Sequence, residues 1–235
     1  MCGRFTLVQV EKIPTRFNAQ IIGEINLRKR YNISPNQPVP IVFQESPNKV
    51  EEMIWGLIPH WAEDPKIGNK LINARAETLL KKPAFKESFL RRRCLVPADG
   101  FYEWKKLGKE KIPYYIKMKD SSLFAFAGLY DVWKSPDGRL IKTFTIITTE
   151  PNELVKEIHN RMPVILRKEY EEIWINKEET DVKKLQSLLV PYPAEEMEAY
   201  PVSKKVNSPS YDSEDLIKPV KIYIIPKNEQ SQFDI

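Results

Sequence analysis

Short runs of β-branched and aromatic residues, each cut off by proline or a turn residue, limit what this chain of 235 residues can fold into. They fall at residues 39–44, 51–57, 114–118, 124–133, 143–149, 163–166 and 221–225. Nineteen prolines against eight glycines favour rigid turns between such runs. Ser135-Pro136-Asp137-Gly138 reads as a hairpin turn, because proline presets φ and glycine accepts the left-handed conformation. Helical patterns are fewer, at 83–92, 150–160, 168–176 and 181–190. Thr149 is the expected N-cap of the second, with Pro151 and Glu153 in its first turn, and Asp181 that of the last. Helices and strands do not alternate, which argues against a doubly wound sheet. The expectation is an α+β single domain over residues 1–226. It has an antiparallel β-rich core, barrel-like or of two packed sheets, flanked by helices, and a polar tail at 227–235.

Composition removes several function classes. A 42% hydrophobic content supports a packed core, and no run of 18 apolar residues exists to span a membrane. The N-terminus has no apolar signal core, and two cysteines are too few for a disulfide scaffold, so a cytoplasmic protein is expected. Two cysteines and two histidines, all far apart, give no metal-ligand spacing, and no glycine-rich phosphate loop is present. No metal or cofactor is expected. The net charge of +5 permits a nucleic-acid partner without establishing one.

Four segments place reactive side chains in unusual company. Cys2 becomes N-terminal if Met1 is removed. It then carries an α-amine with pKa near ~8 beside a thiol of about 8.5 that a cation would lower. Such a vicinal aminothiol condenses with an aldehyde to an imine, and the sulfur then closes a thiazolidine ring. A frayed chain end is the alternative, although Phe5 and Leu7 offer an anchor. In Asn73-Ala74-Arg75-Ala76-Glu77-Thr78, Asn73 brings amide donors and an acceptor, and Arg75 a planar fork suited to phosphate. A capped surface loop gives the same pattern. Glu103 lies between Tyr102 and Trp104, where desolvation would raise its pKa into the general acid–base range. An exposed strand glutamate between buried aromatics alternates in the same way. His159 sits near a helix end beside Arg161, whose charge would keep the imidazole neutral; a helix-terminal histidine is the alternative. His60 reads as a loop residue and Cys94 as a buried structural thiol.

The segments Met1-Cys2-Gly3-Arg4-Phe5, Tyr31-Asn32-Ile33-Ser34-Pro35, Trp55-Gly56-Leu57-Ile58-Pro59, Asn73 through Thr78, Cys94 through Trp104, His159-Asn160-Arg161-Met162-Pro163 and Pro201-Val202-Ser203 together resemble, in order, the SOS response-associated peptidase family of abasic-site processing proteins. The resemblance implies a protein that binds single-stranded DNA, especially at junctions with duplex, and captures abasic sites; a monomer is expected. It implies Cys2 as the nucleophile of a thiazolidine cross-link after Met1 removal. Glu103 matches the catalytic glutamate, His159 the histidine of the Schiff-base stage, and Asn73 the asparagine that orients the chain end and the sugar. Arg4, Arg75 and Arg161 would hold phosphates, with Trp61 and Thr148 as further candidates for the DNA surface. Two other functions fit the same residues. One is a cysteine peptidase using Cys2, His159 and Glu103; the other is a single-strand binding module without chemistry.

Overall fold

The computed structural model describes residues 2–221. Thirteen strands follow one another among them: β1 (Phe5–Leu7), β2 (Ala19–Ile21), β3 (Arg30–Ile33), β4 (Pro38–Phe43), β5 (Asn48–Trp55), β6 (Asn73–Arg75), β7 (Arg93–Ala98), β8 (Gly100–Leu107), β9 (Glu110–Met118), β10 (Phe124–Lys134), β11 (Leu140–Thr149), β12 (Met162–Pro163) and β13 (Met197–Pro201). They form two sheets within one α+β domain.

The larger sheet runs β12-β11-β10-β7-β4-β5-β2. Its middle five strands close into a barrel, because β5 also pairs with β11 at Ile54–Thr143 and Trp55–Phe144. That closing pair is parallel, as are β2 with β5 and β6 with β11, so the antiparallel expectation holds for most of the ladder but not for its seam. Gly56 ends β5 at φ +129°, and a Cβ there would lie 2.8 Å from the Gly68 carbonyl oxygen, so only glycine fits this close approach. The smaller sheet is antiparallel and runs β13-β9-β8-β1-β3.

Aromatic rings join the sheets. Phe5 of β1 meets Trp55 and Phe126 edge-on, at centroid distances of 5.1 and 5.8 Å. Phe101 of β8 meets Phe126 at 6.0 Å. All four rings are fully buried, and the apolar area they withdraw from water makes the two sheets one core. The Trp55 indole donates to the Ile72 carbonyl at 2.8 Å, which pins the approach to β6.

Asp99 fixes the N-terminal strand. Its buried carboxylate accepts from the Thr6 hydroxyl at 2.5 Å and from the Val8 and Gln9 amides at 2.5 and 2.9 Å. Asp99→Ala removes a buried carboxylate that accepts from three donors, two of them partly buried amides, and an expected loss of about 2–4 kcal/mol follows, measurable by urea denaturation. An unchanged midpoint would remove Asp99 from this role.

Several sequence expectations shift in register. The 150–160 helix shrinks to a single turn at Glu153–Lys156. Thr149 is not its cap, because Thr149 is held in the β11–β12 ladder opposite Met162. Asn152 takes the position, its side chain accepting from the Val155 amide at 2.9 Å. Asp181 caps its helix as expected, and Gly138 turns the β10–β11 hairpin at φ +87°. The 163–166 run contributes only Pro163, to the two-residue β12, and an isolated bridge at Ile165. The expected strand at 221–225, except Lys221, and the tail at 227–235 lie outside the described residues. Among the described residues no helix is long and apolar enough to cross a membrane.

Candidate active site

The C-terminal end of β11 gathers segments far apart in sequence. On one side β6 runs parallel to it, placing Asn73 opposite Ile146 and Arg75 opposite Thr148. On the other, β12 pairs Pro163 with Thr148 and Met162 with Thr149. The turn from His159 to Arg161 leads directly into β12 and so arrives at the same corner. The seam with the smaller sheet brings the rest. β1 pairs Phe5 with Phe101, and the Tyr102 amide donates to the Arg4 carbonyl at 2.9 Å. Continuing antiparallel from there, the chain start runs alongside Glu103.

Three groups converge. His159 Nε2 lies 4.0 Å from Glu103 Oε2. Glu103 is 2% exposed, and burial pushes its carboxyl up to about 7. Cys2 is fully buried and close enough to Glu103 for that carboxylate to act on its thiol. Burial, and then the Glu103 charge, push the Cys2 thiol up rather than down, so the surroundings favour the neutral thiol. Burial likewise lowers the pKa of His159. Among side-chain cations Lys106 acts on it, as a minor contribution, and not Arg161 as the sequence suggested, because the Arg161 guanidinium turns away to Glu77. His159 Nδ1 lies 3.1 Å from the Arg161 amide nitrogen and 3.2 Å from the Arg161 carbonyl oxygen, so either tautomer finds a backbone partner there, and Nε2 faces Glu103. Glu103 and His159 line a cleft of ≈ 320 Å³ with Trp104, Lys106 and Lys111.

The remaining candidates divide. Arg75 is exposed. Arg161 holds Glu77 through two nitrogens, at 2.7 and 3.2 Å, and donates to the Thr148 carbonyl at 2.6 Å. Arg4 spends Nη1 on Asn32 Oδ1 at 2.7 Å and on the Val206 carbonyl at 2.6 Å. Yet the Nε atoms of both arginines and Asn73 Oδ1 are buried without a hydrogen-bond partner among the described residues. Thr148 is fully buried, with its hydroxyl 3.2 Å from Arg161, so it presents no surface to DNA. Trp61 is 51% exposed, but the next residue, Ala62, is tied to Trp133 Nε1, and Trp133 pairs with Ile141. Ile141 lies about 20 Å along β11 from Thr148, so Trp61 sits away from the converging groups. Lys106 and Lys111 were missed, since nothing in a lysine-rich hairpin sequence says that it borders Glu103. Cys94 is buried as expected, with its thiol pushed up by burial.

A family model described as SOS response associated peptidase (SRAP) matches residues 1–209. The abasic site processing protein YoqW of Bacillus subtilis (strain 168) is 52% identical over 222 residues, covering 93% of this chain and 99% of that protein. The abasic site processing protein HMCES of Gallus gallus is 34% identical over 234 residues, covering 86% of this chain and 69% of that protein. A crystal structure of a Bacteroides thetaiotaomicron protein superimposes with a TM-score of 0.86 at 32% identity, covering 94% of this chain and all of that one.

Proposed function

The chain belongs to the SOS response-associated peptidase family, and from that premise we propose that it processes abasic sites by a covalent cross-link through Cys2. The observation that carries this reading is the convergence of Cys2, the Glu103 carboxyl and the His159 imidazole beside one open cleft. The electrophile is the aldehyde of the ring-opened abasic sugar in single-stranded DNA, including strands beside a duplex junction. Hydrolysis of the Met1–Cys2 bond first frees the amine. That amine adds to the aldehyde carbon to give a carbinolamine, and Glu103, poised near neutrality, protonates the departing hydroxyl. The Cys2 sulfur then attacks the imine carbon, passing its proton to the nitrogen through Glu103 or His159. One C–N and one C–S bond form and one water leaves. Asn73 orients the chain end, and Arg4, Arg75 and Arg161 hold flanking phosphates. Intact nucleotides carry no aldehyde, so selectivity is chemical. An abasic site also costs less to expose, having no base to unstack.

Intact-protein mass spectrometry after incubation with an abasic single strand tests this. The expected species has the mass of protein without Met1 plus oligonucleotide, less one water, and is absent with intact DNA. Cleavage of peptides in trans with no such species would instead favour a cysteine peptidase.

A further inference from the structure

Lys106 and Lys111 are directly opposed partners on β8 and β9, and both line the cleft beside Glu103 and His159. Like charges facing each other across an antiparallel pair repel, so this arrangement is a cost to the hairpin. Among the described residues no carboxylate pairs with either lysine, whereas Glu110 near the turn is taken by Lys204 at 2.8 Å. Arg161 and Arg4 already spend donors on Glu77, Asn32 and backbone carbonyls.

We propose that the Lys106–Lys111 pair is a phosphate-binding subsite that clamps the strand backbone on the hairpin side of the lesion. The subsite rests on the reading above, in that its ligand is the single strand whose abasic sugar enters the cleft. An anionic phosphate between two ammonium groups removes the repulsion that the empty pair carries, and ammonium heads on flexible stems suit a backbone whose path varies with sequence. A bound phosphate also offsets the Lys106 field at His159, which shares the cleft.

The probe is a single-stranded oligonucleotide containing a tetrahydrofuran abasic analogue, which has no aldehyde and cannot cross-link. Its affinity is measured by fluorescence anisotropy across a salt series. Changing Lys106→Gln with Lys111→Gln is expected to reduce the slope of log affinity against log salt by about 1.4, two contacts at ~0.7 each. Lys134→Gln with Lys183→Gln, which removes the same charge elsewhere, should leave the slope intact. Equal slope losses in the two double variants, or none in the first, overturn the proposal. Lys111→Glu supplies a second reading: it should hold or raise the melting temperature, by creating an opposite-charge pair, while weakening binding. A fall in both would make the lysines structural and also overturn it. Failure of the cross-linking reading shows separately, as no adduct between the wild-type protein and a natural abasic strand.

Discussion

Cys2→Ser is expected to reduce the heat-stable adduct with an abasic strand to background, while affinity for the tetrahydrofuran analogue stays within a few-fold of wild type. The variant keeps its terminal amine, so an imine still forms, but a hydroxyl is a far poorer nucleophile than a thiol toward that carbon. The imine therefore persists as a hydrolysable species that borohydride reduction traps. A chain that keeps Met1 through a non-removable N-terminal extension should lose both species, because its Cys2 nitrogen is an amide with no basic lone pair. The pair of variants thus separates the contribution of nitrogen from that of sulfur. A stable, unreduced adduct from either one would show that another residue makes the bond.

Glu103→Gln is expected to slow adduct formation about 10²–10⁴-fold, the usual weight of a positioned acid–base group, with little change in affinity for the analogue. The pH profile should change with it. In the wild type, the acid form of Glu103 declines above about 7 while the neutral terminal amine rises toward ~8, so the rate peaks between them. With glutamine only the rising amine limb remains. Stability should move the opposite way. Burial raises the folded pKa of Glu103 from 4.5 to about 7, so the stability it contributes is complete below 4.5 and is lost as pH rises through about 7. A neutral amide escapes that loss. Urea denaturation at pH 8 should find Glu103→Gln about 1–3 kcal/mol more stable than wild type, with the difference vanishing near pH 4. A variant that is both slower and less stable at pH 8 would make Glu103 a structural group.

The reactive groups could be listed from the sequence because their chemistry is local. A cysteine one peptide bond from the start, a carboxylate between Tyr102 and Trp104, and a histidine near the end of a helical pattern each announce a reactivity whatever surrounds them. The hairpin at Ser135-Pro136-Asp137-Gly138 and the cap at Asp181 were legible for the same reason, since turn and cap energetics depend on a few adjacent residues. Strands such as Gly100–Leu107 were not, because Glu103, Lys105 and Lys106 break the apolar pattern and only pairing with β9 settles the conformation. Thr149 likewise looked like a cap until the β12 ladder claimed it.

Residue types, and the bonds they can make or break, were therefore determined by the sequence alone. Which of them meet was decided by the tertiary structure: the parallel closure of β5 on β11, the Phe5–Phe126–Phe101 seam and the Asp99 anchor bring residues 2, 103 and 159 together, while β6 sets Asn73 beside β11. The same folding buried Thr148, turned Arg161 toward Glu77 and set Lys106 opposite Lys111. Burial, field and partner are sums over distant neighbours, and those sums exist only once the sheets have closed.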